Sequence, residues 1–164
     1  MLILSSCSDP AQPPPAAPAR SGCVDTGGAR AVWQDVNERL NRVVMITGHP
    51  GLEEAVTGPA VSILRRYIDT ELVAKNLRER EQDRLDSLNV VRGGCNGGPL
   101  VVDVRETLVR DDYLKPDGGV DHADPLVGRQ SHLRKTFVRS GPGWKLSDLQ
   151  DLEAPAPTRP PQTA

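Results

Sequence analysis

Three ionisable side chains in the second half of the chain, Glu106, Lys135 and Asp148, occupy positions from which they can share one surface. Each lies in a segment where apolar and polar residues alternate, and alternation sends every second side chain to the same side of a strand. With Val102, Val104 and Leu108 turned to a core, Glu106 turns the same way. With Leu133 and Phe137 inward, Lys135 is inward; with Trp144 and Leu146 inward, Asp148 follows. A hairpin joining residues 110 and 129 sets Glu106 near Leu133 or Lys135, according to register. Trp33 on a preceding helix, Phe137 and Trp144 supply an apolar lining. Taking such groups out of water raises a carboxyl pKa and lowers that of an ammonium, which is the tuning general acid/base chemistry uses. The plainer reading is a cross-strand Glu106–Lys135 pair near the open end of the sheet, worth well under ~1 kcal/mol. A single β-bulge would reverse the parity of any of these positions.

The other chemically capable groups reduce to structure. Gly94-Cys95-Asn96-Gly97-Gly98 is similar to a glycine-cysteine segment of papain-like proteases, but the Cys-Trp pair of that nucleophile motif is absent. A Gly-rich turn explains it, and Asn96-Gly97 suits a primed turn. Asp111, Asp112, Asp117, Asp121 and Asp124 make an oxygen-rich connection, yet their spacing is not that of a calcium loop with its distant Glu. A connection this long is more often a mobile or partner-contacting segment. His49, His122 and His132 share no ligand spacing, so no metal and no cofactor is expected. Arg129, Arg134, Lys135 and Arg139 form a modest basic stripe, and a net charge of -2 with interspersed signs argues against a nucleic-acid surface.

The elements that must position these residues follow from periodicity. Trp33, Val36, Leu40 and Val43 recur at helical spacing and predict a first helix over about 28–46, capped by Thr26 or Asp25. Gly48-His49-Pro50-Gly51 ends it, because Pro and two Gly do not continue a helix cheaply. Leu52 to Val56 reads as a short helix. A second helix begins near Pro59 with Val61, Leu64, Ile68 and Leu72 as its stripe, and continues or restarts from Asn76 to Leu85, where charges dominate. The period then changes to two. A short strand covers about Leu88 to Arg92, a long one Leu100 to Val109, and others 129–139 and Trp144 to Leu149, with Ser140-Gly141-Pro142-Gly143 as a tight hairpin. The expected class is α+β, with N-terminal helices packed on a curved antiparallel sheet of three to four strands. At 164 residues the chain fits one domain with tails, and aromatic residues are only 3%, so Val and Leu must fill most of the core.

The N-terminus resembles that of a bacterial lipoprotein. Leu4-Ser5-Ser6-Cys7 matches a lipobox, in which the cysteine is acylated and becomes the mature N-terminus. The resemblance implies a signal over 1–7, lipidation at Cys7, and a place on the extracytoplasmic face of the cell membrane. No basic n-region precedes it, and the apolar run is only Leu2 to Leu4; either the start codon lies upstream of Met1, or the match is accidental and the chain is a cytosolic or secreted module. Residues 8–27 are Pro/Ala-rich, a semi-rigid tether. Residues 153–164 are Pro-rich and expected to be disordered. With Cys7 lipidated, Cys23 and Cys95 remain as a pair, and outside the cytoplasm a disulfide is favoured; the alternative is two free thiols in a cytosolic protein.

Residues 28–152 resemble the nuclear-transport-factor-2-like superfamily of cone-shaped domains. The resemblance rests on the helix around Trp33, the helix around Leu64, the strand Val101 to Arg110, and the ending Thr136-Phe137-Val138-Arg139, then Gly143-Trp144-Lys145-Leu146-Ser147-Asp148-Leu149. With a bias to Arg, Ala, Pro and Gly, it implies a secreted actinobacterial protein. The superfamily holds enzymes and non-catalytic assembly modules alike, so the fold alone assigns no function. The leading expectation is a tethered, non-catalytic domain binding a protein partner or a small apolar ligand at the envelope. Its rival is an isomerase- or dehydratase-like enzyme with Glu106, Lys135 and Asp148 in the cone.

Overall fold

The computed structural model describes residues 22–46 and 49–153. The lipobox with Cys7, most of the tether and residues 154–164 lie outside the described residues. Asp25 supplies the N-cap of the first helix, α1 (Thr26–Met45), by accepting a hydrogen bond from Gly28 N at 2.8 Å. Its apolar stripe buries Ala29, Val32, Trp33, Val36 and Val43. A single turn, α2 (Leu52–Ala55), buries Leu52 and Ala55. Helix α3 (Pro59–Tyr67) starts on Pro59, whose missing N–H costs nothing in a first turn. It widens into a π turn over Ile68–Val73 that buries Ile68 and Leu72.

The chain does not return to helix after this turn. Asn76 takes a positive φ of 54°, and β1 (Arg78–Gly93) follows directly. This corrects two expectations at once: the charged stretch up to Leu85 is strand, and the short strand at 88–92 is only the end of a 16-residue one. Charge misleads here because the inward positions of this segment are Glu79, Glu81 and Asp83, so no apolar alternation marks it. The remaining strands are β2 (Leu100–Leu114), β3 (Val120–Ala123), β4 (Gln130–Ser140) and β5 (Gly143–Asp151). They form an open antiparallel sheet in the order β1-β2-β4-β5. The expected long loop after residue 110 is instead an extension of β2 with β3 folded back on it, Tyr113 opposite His122.

The helices cover one face of this sheet, α1 over β1 and β5, α3 over β5. The core between them contains Val36, Val56, Leu72, Leu100, Val102, Val104 and Phe137, all essentially inaccessible. A parallel bridge from Val56 to Leu146, with Thr57 N donating to Leu146 O at 2.9 Å, fastens the helical layer to the sheet edge. At the other edge Cys23 and Cys95 are joined in a disulfide across 72 residues of sequence, tying the entry to α1 to the β1–β2 turn. In the chain-entropy model a loop of that length stabilises by about 4 kcal/mol. The turn itself depends on Gly94: its φ is +64°, and a Cβ there would lie 2.8 Å from the Trp144 ring.

Candidate functional site

Between α1, α3 and the upper part of the sheet is a cavity of about 210 Å³. Its helical wall is mainly apolar, with Leu40, Val43 and Val44 from α1, Leu64 from α3 and Ile68 from the π turn, beside the polar Asn37, Asn41 and Tyr67. The sheet wall carries the ionisable groups: Glu79, Glu81 and Asp83 from β1, Glu106 from β2 and Lys135 from β4 line it, together with Leu133, Leu146 and Leu149. The division has a backbone cause. Inward positions on β1 are Glu79, Glu81, Asp83 and Leu85, and an extra residue before Ser87 passes the inward role to Leu88 and Val90. One end of the strand therefore closes the apolar core, and the other presents acids to the cavity.

Glu106 and Lys135 do meet. They are 4% and 6% exposed, with Lys135 Nζ at 2.7 Å from Oε1 and 2.9 Å from Oε2. The register places Glu106 opposite Ser131, and Lys135 opposite Val102, so the lysine stem bridges the offset along the strands. Trp33 Nε1 donates a third hydrogen bond to Glu106 Oε2 at 2.9 Å, and the lysine ammonium lies 5.7 Å from the Trp33 ring centroid. Glu106 thus has three polar contacts that hold it in place. Trp33, Phe137 and Trp144, expected to line the pocket, instead pack in the core beneath it. The face of Trp144 is covered by Arg139, whose guanidinium carbon is 4.9 Å from the ring centroid.

Asp148 does not join them. The register between β4 and β5 shifts at Thr136/Phe137, where Asp148 opposes Thr136 but Leu146 opposes Phe137. Ser147 is the additional residue, and parity is reversed beyond it: Asp148 is exposed and Leu149 lines the cavity. The acid/base trio expected from strict alternation is therefore a buried pair with an outlying carboxylate.

The acids the sequence reading missed have the more unusual surroundings. Glu79 is 2% exposed. Its Oε1 accepts from Tyr67 Oη at 2.6 Å, and Tyr67 Oη lies 3.0 Å from Tyr113 Oη. Glu79 Oε2 and the buried Asp111 Oδ1 take no donor from another group among the described residues, and the two carboxyls form a hydrogen-bonded pair with each other. Burial pushes the Glu79 carboxyl up to about 7, with the Tyr67 hydrogen bond opposing and the charges of Asp111 and Asp124 adding to the rise. Asp111 rises to about 6, from burial and the charge of Asp124. Glu81 is held well above the usual carboxylate range by burial and by Asp83 and Glu79. Asp83 is raised by burial and by Glu106, with Lys135 acting against the rise. Burial and the neighbouring Glu79 push both tyrosines up, Tyr113 to about 12. The signal for this cluster was present as Glu79, Glu81, Asp83 and Leu85 at a spacing of two, a strand pattern written in acids.

Among the described residues no group of His, Cys, Asp and Glu has the arrangement of a metal site, and no helix is long and apolar enough to cross a membrane. His49 Nδ1 is 3.1 Å from Val43 O, and His122 stacks on Tyr113. No family model matches the chain, and no curated protein matches it. Among solved structures, the crystal structure of the intermembrane space region of the chloroplast protein ARC6 is similar in part. It is 16% identical, with 75% of this chain and 95% of that chain covered and a TM-score of 0.46. At that distance the likeness assigns neither a partner nor an activity.

Proposed function

We propose that this chain is an envelope-tethered, non-catalytic binding domain whose cavity receives a small ligand or a single side chain of a protein partner. Cys7 would carry the lipid anchor and the residues between it and the disulfide-bonded Cys23 the spacer, shorter than the 8–27 expected, because Cys23 to Gly27 are part of the folded domain. The observation that supports the binding reading is the cavity, largely apolar in its lining, with its ionisable groups gathered on the sheet side. Its volume, about 210 Å³, decides the size of the occupant. Drug-sized ligands occupy roughly 300–1,000 Å³, and a cavity of about 150 Å³ accommodates benzene. A single ring, a short chain or one side chain fits; a long acyl chain does not. Support for a non-catalytic role comes from the three contacts that occupy Glu106, and from Asp148, which faces away from the Glu106–Lys135 pair.

Two-dimensional NMR of the full chain, titrated with small ring and short-chain compounds, tests the binding reading. Shifts confined to Leu40, Leu64 and Leu133, lost on Leu64→Trp, are the expected result. Shifts scattered over the surface would refute it. Mass spectrometry of the N-terminal peptide from membranes tests the anchor, with an acylated Cys7 expected.

A further inference from the structure

We propose that the occupant of this cavity is an uncharged molecule with a carboxamide head on a short apolar stem, received by Asn37 and Asn41. The inference rests on the cavity being a binding site and adds the chemistry of what it binds. Asn37 and Asn41 lie one turn apart on α1, half-buried, and both line the cavity. Among the described residues neither side chain has a hydrogen-bond partner, and neither has a polar atom shut away from solvent. Both carboxamides therefore keep their donors and acceptors free at the cavity. Asparagine is a weak helix former, because its side chain competes for nearby backbone groups. Two of them inside a 20-residue helix, bonded to nothing else in the fold, do not serve the helix.

The ionisable groups of the lining are occupied with one another, which disfavours a charged occupant. Lys135 holds both oxygens of Glu106. Tyr67 donates to Glu79, and Glu79 pairs with Asp111. Glu81 pairs with Asp83. No ammonium is left for an anion, and a cation would have to break a carboxyl pair. A charge taken into such a site without a partner is costly, whereas an uncharged head needs only hydrogen bonds.

The free groups specify the head. A carboxamide offers an oxygen that accepts beside a nitrogen that donates. A second carboxamide meets it with a donor and an acceptor at once, and a head with only one of the two leaves half of it unused. Leu40, Val44 and Leu64 line the same cavity and cover the stem. Size agrees: a cavity of about 150 Å³ accommodates benzene, and butanamide has as many heavy atoms as benzene.

NMR titration of the full chain with butanamide, 2-pentanone, butylammonium and butanoate tests this, since all have a short alkyl stem and differ in the head. We expect butanamide to bind about ten-fold tighter than 2-pentanone, which keeps the carbonyl but has no donor. The side-chain amide signals of Asn37 and Asn41 should move with it, and the two ions should bind more weakly than either neutral compound. Asn37→Ala combined with Asn41→Ala improves helix propensity and keeps the cavity open. With its fold checked by circular dichroism, this variant should bind butanamide no better than 2-pentanone. Each single variant should lower butanamide affinity about three-fold and gives the same reading if the double variant does not fold. Equal binding of amide and ketone, or tighter binding of either ion, would overturn the carboxamide inference and leave the cavity as a binding site. Binding of none of the four would overturn both. Nα-acetyl-glutamine methylamide distinguishes the source: affinity equal to that of butanamide assigns a partner's asparagine or glutamine side chain, and exclusion assigns a free amide.

Discussion

The two faces of the sheet treat the same residue types in opposite ways. On the outer face Asp103, Asp112 and Asp86 all have cationic, hydroxyl or amide partners. Arg134 grips Asp103 with two hydrogen bonds, at 2.7 and 2.9 Å. Arg80 and Arg110 converge on Asp112, each at 2.6 Å. Asp86 accepts from Thr107, Gln130 and Arg84. All three are pulled down in pKa by these partners, Asp86 to about 2. On the inner face Glu79 pairs with Asp111 and Glu81 with Asp83, none has a basic hydrogen-bond partner among the described residues, and every one is pushed up, first by burial. The comparison teaches that the inner acids are not there for stability. At neutral pH they oppose folding, and a structural role would be better served by apolar residues.

The largest effect should come from the one inner acid that does have a cation. Lys135→Ala leaves Glu106 buried with only Trp33 as a partner, and losing one member of a buried pair costs about 3–5 kcal/mol. Urea unfolding at pH 7 measures it, and Lys135→Met combined with Glu106→Gln should restore most of the loss. A loss below ~1 kcal/mol would show that the inner pair behaves like a surface pair, and the contrast between faces would collapse.

A smaller change, of opposite sign, is expected at Glu79. Its carboxyl is raised in the folded protein from 4.5 to about 7. Its contribution to stability is therefore complete below pH 4.5 and is lost as pH rises through 7. Asp111, raised from 3.8 to about 6, acts in the same sense. Asp86, lowered from 3.8 to about 2, contributes above pH 3.8 and is lost as pH falls. Stability should peak between about pH 4 and 6 rather than at 7 or above. Glu79→Gln should gain about 2 kcal/mol at pH 8, because the side chain can no longer ionise, and almost nothing at pH 4. A stability profile that climbs steadily to pH 8 would contradict the assignment of the inner face.

The smallest effect belongs to the outer face. Arg134→Ala removes the two-pronged contact to Asp103, but both partners are reached by solvent. A fall in Tm of under about 3 °C is expected, and it should shrink further in high salt. A larger fall that persists in high salt would show that solvent access does not separate the two faces.

Much of the framework was readable residue by residue. The 3,4,3 spacing of Trp33, Val36, Leu40 and Val43 located α1, and Pro59 located the start of α3. Alternation at 100–109 and 129–139 located β2 and β4, with Glu106 and Lys135 facing inward. Pairing Cys23 with Cys95 gave the disulfide. The first half of β1 was not readable, because hydrophobic periodicity is blind to a strand whose inward residues are acids. Asp148 was misplaced by one residue of bulge, since a period of two gives no warning when it slips.

What the sequence by itself determined, then, is where apolar side chains repeat at 3.6 or at 2, because those periods come from backbone geometry that every segment carries with it. What only the tertiary structure decided is which charged residues leave water. That depends on what packs above them. Glu79 and Asp103 are both strand carboxylates, and the placement of α3 over one face and solvent over the other sets their opposite fates.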